Sequence, residues 1–203
     1  MTIKKSLPYI LIIGSIIGFL ASFVLTLDVI KLMANPDVEL PCNLNPFISC
    51  TSVATSEQAS VFGFPNSLLG ITAFAMLLAI GIMLLFGGSN SSLLDKVTGE
   101  NSARRPLWLL VNVGTLAAMI FVMWFFYQSV YNIASLCIYC MIVWAVTWPI
   151  FLYTTIWNWR EDHFKFFPSF FQFVSKYHLP ILITWYLLII FLILFQFRYF
   201  FFS

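Results

Sequence analysis

Four cysteines carry the chemistry available to this chain. Cys137-Ile138-Tyr139-Cys140 is a C-x-x-C at the start of an apolar run. On a helix this spacing holds two sulfurs near enough for an exchangeable disulfide, and a thiolate at a helix N-terminus gains from the positive end of the dipole. Cys137, in the first turn or so, is expected to be the more nucleophilic; Cys140 sits one turn deeper, facing the bundle interior. Cys42 and Cys50 lie in a loop with seven residues between them. Alone, such a pair reads as a structural staple. Beside a second dithiol at the same depth it reads as half of a relay, in which two electrons move by successive attack of one thiolate on the next disulfide. Zinc is the competing use, since four sulfurs can complete a site. The only histidines, His163 and His178, are expected on the opposite side, and no metal is expected.

The elements that position these residues follow from composition. Of 203 residues, 61% are hydrophobic and 9% charged, and the mean hydropathy is +0.95. Soluble domains carry about 25% charged residues, so a water-soluble fold is excluded. The apolar material forms five runs, Leu7–Met33, Asn66–Phe86, Leu107–Tyr127, Ile133–Trp157 and Pro180–Phe200. Each is long enough for a hydrocarbon core that takes about 20 helical residues to cross. The fold class is therefore all-α integral membrane, a single domain over residues 1–203. The first run follows Lys4 and Lys5, but it is too long for a signal-peptide core and is read as a retained anchor.

Basic residues orient the spans. With the N-terminus in the cytoplasm, Lys4, Lys5, Lys96, Arg104, Arg105, Arg160, Lys165 and Lys176 fall inside, against Lys31 and Arg198 outside. The loop from Asn35 to Pro65 holds Asp37, Glu39 and Glu57 and no base, so it is external, as is the C-terminus. All four cysteines then share one level, on the oxidising side where disulfides persist. The net charge of +2 reflects this bias and gives no reason to expect nucleic acid.

The external loop is long for a connector. Pro36, Pro41, Pro46 and Pro65 stiffen it, Val61, Phe62 and Phe64 are expected to dock it, and Thr51–Ser60 suits a short helix across the mouth of the bundle. In the second inside loop Phe164, Phe166, Phe167, Phe170, Phe171 and Phe173 suit the headgroup region. Asp28 and Lys31, one turn apart at the outer end of the first span, are expected to pair with each other. No haem-attachment motif, Rossmann glycine fingerprint or acidic metal cluster supplies an electron acceptor. A lipid-soluble quinone, taking two electrons and two protons into an apolar pocket between spans, is the natural one.

These residues resemble the vitamin K epoxide reductase family, in its bacterial disulfide-forming branch. The resemblance rests on Cys42 with Asn-Leu-Asn-Pro-Phe-Ile-Ser before Cys50, then Ser56, then Phe62-Gly63-Phe64-Pro65-Asn66-Ser67 and Gly70, and on Cys137–Cys140. It covers roughly the first 160 residues. It implies a four-helix catalytic bundle around a quinone (ubiquinone or menaquinone), capped by the external loop, with the fifth span added. By matching positions, Cys140 would lie nearest the quinone, with Cys137 as its partner. Cys50 would exchange with Cys137, and Cys42 would face the incoming protein. Asn66 and Ser56 match polar residues of the quinone site and the cap; read locally, Asn66 caps the second span and Ser56 caps or lines the loop. Many bacterial relatives continue into a thioredoxin-like domain. Here nothing follows the fifth span, so the expected partner is a separate thioredoxin-fold protein resembling DsbA.

The expectation is a quinone-dependent thiol oxidase of the bacterial inner or plasma membrane, with active site and C-terminus external. The analogous oxidase resembling DsbB carries its C-x-x-C in the first external loop, the reverse of this order. A reductant exporter would need dithiols reachable from inside. A non-enzymatic membrane scaffold or receptor with structural disulfides remains the alternative from another class.

Overall fold

Lipid offers no partner to a free N–H or C=O, so each apolar run satisfies its backbone internally as a helix. A computed structural model describes residues 3–45, 47–87, 101–161 and 168–198. The helices are α1 (Ile3–Ala34), α2 (Cys50–Ala54), α3 (Ser67–Gly87), α4 (Asn101–Tyr127), α5 (Ile138–Arg160), α6 (Pro168–Lys176) and α7 (His178–Gln196). A 3-10 turn at Glu57–Ser60 follows α2, and a π-helical turn at Gln128–Asn132 follows α4. Among the described residues, α1, α3, α4, α5 and α7 are long and apolar enough to span a bilayer. The chain is a multi-pass, all-α membrane protein. Lys96, His163, Lys165, Phe164, Phe166, Phe167 and Pro46, which the sequence reading used, lie outside the described residues.

Four of these helices form the bundle, and α1 and α5 are its central pair. α1 packs along α3 and α5, and α4 packs along α5. α3 and α4 scarcely touch, so a gap opens between them. The α1–α3 contact depends on missing side chains. A Cβ at Gly18 would overlap the Phe74 ring, and one at Gly70 would overlap the Ser22 hydroxyl. α1 and α5 run antiparallel: Leu7 and Leu11 share a buried cluster with Ile156 and Trp157, whereas Leu32 shares another with Cys137 and Cys140. α7 lies outside the four, its clearest contact being Trp185 stacked on Trp148 at 4.2 Å between ring centroids. α6 is short and amphipathic, with Val174 buried and Phe170 and Phe173 exposed.

The fourth span starts later than expected. Its apolar run begins at Ile133, yet α5 begins at Ile138. The π-helical turn delays it, and Ala134 takes a left-handed backbone conformation with φ 53°. That conformation is unfavourable inside a right-handed helix. Ser135 and Leu136 are then free to pair with the loop after α1. The consequence is local: Cys137 is the N-cap residue of α5, not a member of its first turn.

The loop between α1 and α3 is an ordered cap. Leu136 donates its N–H to the Phe47 carbonyl (2.8 Å), and the Leu136 carbonyl accepts from Ser49 N–H (3.0 Å). This is one rung of parallel pairing between residues 47–49 and 135–137. The Asn43 side chain gathers the rest: its Oδ1 accepts from Thr51 N–H and Ser49 Oγ, both at 3.2 Å, and its Nδ2 donates to Thr51 Oγ1 at 2.8 Å. The expected single helix over Thr51–Ser60 is two short pieces, broken at Ser56. Docking runs through buried Leu40, Cys42, Cys50 and Val53. Val61, Phe62 and Phe64 are instead largely exposed, with Phe62 resting against Phe121.

Candidate functional site

The parallel rung sets the site. It carries the chain from Ser49 into Cys50 and from Leu136 into Cys137, so the start of α2 and the start of α5 lie side by side. Cys42 and Cys50 are joined as a disulfide, with 5.7 Å between their Cα atoms. Cys137 and Cys140 are free thiols. All four are buried in one cluster with Val53, Val122, Phe125, Phe126, Leu136 and Trp144. Two pairs that the sequence placed at one level thus meet at one end of the bundle. Among the described residues no group of three or more His, Cys, Asp or Glu is placed to hold a metal ion.

The helix pair is asymmetric. Cys137 precedes the span, and its thiol is held below the ordinary thiol pKa, first by its hydrogen bond with Cys140 and against the opposing effect of burial. A sulfur at the helix N-cap also feels the positive end of the α5 dipole. Cys140, one turn on, opens onto a cavity of about 710 Å³ in the gap between α3 and α4. Cys140 is the one cysteine in the wall of that cavity.

The cavity is apolar, with polar groups at its cap end. Leu25, Val29, Phe74, Leu77, Phe121, Val122, Phe125 and Trp144 form most of the wall, and the cap closes one side with Val53, Phe62, Phe64 and Asn66. Its size is within the usual range for small-molecule sites, about 300–1,000 Å³. Asn66 stands at the entrance to α3 without capping it. Its N–H donates to the Ala59 carbonyl (2.8 Å) and its Nδ2 to the Gln58 carbonyl (2.7 Å). Its Oδ1 is buried and has no partner in the protein. A buried acceptor without a donor is costly, and this one belongs to a residue in the cavity wall. Ser67 and Ser22 are also in the wall, and Ser67 Oγ accepts from Thr26 Oγ1 at 2.8 Å. Ser56 does not border the cavity; its hydroxyl donates to the Val53 carbonyl at 2.7 Å.

Asp28 and Lys31 form the expected ion pair, Nζ to Oδ1 at 3.0 Å. The environment was not legible: the carboxylate side is almost fully buried and the lysine is exposed. His178 sits at the far end of the bundle, where Nδ1 and the Tyr153 hydroxyl are 3.0 Å apart. Ser22, Ser67, Phe121, Phe125 and Trp144 are site residues that sequence reasoning missed. Only Ser67, inside the Pro65-Asn66-Ser67 string, carried a signal.

An apolar cavity with a sulfur in its wall and an unpaired polar acceptor at its mouth suits a quinone, whose ring is apolar and whose quinol form carries hydroxyl donors. Among curated proteins no match is found. The sequence profile described as the Vitamin K epoxide reductase family matches residues 9–155, spanning α1 through most of α5 and all four cysteines. The chain belongs to the vitamin K epoxide reductase family, which implies a quinone-linked thiol oxidoreductase.

Proposed function

We propose that this chain is a disulfide-generating thiol oxidase that passes electrons from a separate thioredoxin-fold protein, resembling DsbA, to a membrane quinone. The observation that carries the reading is the division of labour among the sulfurs. Cys42–Cys50 is a closed disulfide in the cap, Cys137 adjoins it at the head of α5, and Cys140 alone faces the apolar cavity.

In this reading a reduced partner opens Cys42–Cys50, leaving through a mixed disulfide with Cys42 and departing oxidised. Cys50 thiolate then attacks Cys137 of the oxidised helix pair and releases Cys140 as thiolate. Cys42 attacks Cys50, the cap disulfide re-forms, and Cys137 is released. Each exchange breaks one S–S bond and makes one, so two electrons have moved inward. A bound quinone supplies the two-electron, two-proton acceptor. Cys140 would face it, Asn66 Oδ1 would accept a hydrogen bond from its reduced form, and Trp144 and Phe125 would exclude water. Ser56 contributes through the cap, fixing the turn that presents Asn66. Ubiquinone and menaquinone both fit this description.

The eight-to-two bias of basic residues supports a cytoplasmic N-terminus and an external cap, in a bacterial inner or plasma membrane. The test is reduction of a short-chain quinone by the purified full chain, with a reduced thioredoxin-fold oxidase as donor. Ser in place of Cys137 or Cys140 is expected to abolish it. Unchanged thiol oxidation in both variants would favour a scaffold or receptor. A Cys50→Ser variant leaves Cys42 in an unresolved mixed disulfide, and mass spectrometry of that adduct identifies the partner.

A further inference from the structure

Asp28 is an acidic side chain inside a membrane span, and it is buried to 2% exposure. Ionisable groups at such depth are costly and are retained where they serve transport or proton transfer. One carboxylate oxygen is held by Lys31; the other, Oδ2, is buried and has no partner in the protein. Placement on α1 explains where it points. Leu25 and Leu32, three residues before and four after, lie on the same helical face, and both pack into the cysteine cluster. The antiparallel register agrees: Gly14 lies against Ile150, so Asp28, fourteen residues on, is level with Leu136 and Cys137.

We propose that Asp28 is the proton acceptor of the helix dithiol, with Lys31 holding the carboxylate in place. This rests on the thiol-oxidase reading. Oxidation of Cys137 and Cys140 forms one S–S bond and breaks two S–H bonds. The electron pair leaves to the quinone, the oxidant. The Cys137 proton passes to Asp28 Oδ2, leaving a thiolate that attacks the Cys140 sulfur. That proton and the one from Cys140 both end on the reduced acceptor, so dithiol plus quinone becomes disulfide plus quinol and Asp28 is ionised again. Among the described residues, the titratable and charged groups on the elements around Asp28 are Lys31 on α1, Asp37 and Glu39 in the cap loop that follows it, and Cys137, Tyr139 and Cys140 at the head of α5; the cap cysteines are held as a disulfide.

The test is the pH profile of Cys137 alkylation by iodoacetamide, located by mass spectrometry on the full chain in detergent, for wild type, Asp28→Asn and Lys31→Met. Removing the carboxylate charge is expected to move the alkylation midpoint down by about one pH unit. Removing the ammonium moves it up. In the quinone assay Asp28→Asn slows turnover by about 10²-fold, the size of a lost general base; Lys31→Met, which keeps the carboxylate but no longer holds it, slows turnover less than Asp28→Asn does, and Asp28→Glu restores it. A merely structural ion pair would make Asp28→Asn and Lys31→Met behave alike; equal shifts in both, or a wild-type profile in Asp28→Asn, overturn the proposal. Should Asp28→Asn not fold, a Lys31→Met profile that does not move upward overturns it. If the wild-type chain reduces no quinone, the oxidase reading fails while the alkylation profiles still decide whether Asp28 and Cys137 are coupled.

Discussion

The two ends of the bundle are built from the same helices and do different work. At the cap end a cavity opens beside α1 and α5, and the buried groups there include four sulfurs, Asp28 and an unpaired Asn66 oxygen. At the far end the same two helices close on each other through Leu7, Leu11, Ile156 and Trp157, with Trp108 of α4 stacked obliquely on Trp157 at 5.8 Å. One end is packed for cohesion. The other leaves a cavity open beside its cysteines; buried polar atoms without a hydrogen bond occur at both ends, Thr154 Oγ1 and Asn158 Oδ1 at the far one, so it is the cavity and the sulfurs that set the cap end apart.

The sharpest break of that contrast is at Cys140. Cys140→Ser removes the sulfur in the cavity wall, and quinone reduction is expected to fall to background, read by quinone absorbance, with a reduced cap pair no longer reoxidised by quinone. Asn66→Leu comes next. It fills the same place without an acceptor and is expected to raise the apparent quinone KM by about tenfold, the value of one buried hydrogen bond of roughly 1–3 kcal/mol. At the far end the effect moves from turnover to stability. Ile156→Ala is expected to lower stability by about 2–5 kcal/mol, as other buried truncations do, with turnover per folded molecule close to that of wild type. Thermal denaturation and quinone kinetics on the same sample separate the two. The smallest effect belongs to the helix outside the bundle: Trp185→Ala loses its stack on Trp148, worth about 0.5–1.5 kcal/mol, and leaves turnover unchanged.

Much of this contrast was legible in the residues. Apolar runs of span length, and a cap free of basic residues, place Cys42, Cys50, Cys137 and Cys140 together because charge bias and helix length are one-dimensional properties. The Asp28–Lys31 pair was legible for the same reason, being one turn apart. The start of α5 was not. Ile133 and Ala134 continue an apolar pattern, and nothing in their types announces a π-helical turn or the left-handed conformation at Ala134. The pairing of Leu136 with Phe47 and Ser49 that results is a long-range choice. The cavity was equally hidden, since its wall draws on α1, the cap, α3, α4 and α5. Apolar side chains in a loop usually dock, so the sequence alone suggests Val61, Phe62 and Phe64 as anchors. In the fold Phe62 and Phe64 line the cavity mouth instead, where an apolar surface has another use.

The most direct measurement of the central claim is the order in which the two pairs oxidise in a single turnover. The fully reduced chain is mixed with a soluble quinone, quenched in acid, alkylated and analysed by mass spectrometry. Cys137–Cys140 is expected to close first, and Cys42–Cys50 only afterwards, as the helix pair is re-reduced. Closure of Cys42–Cys50 ahead of Cys137–Cys140, or a helix pair that stays reduced throughout, would contradict the account.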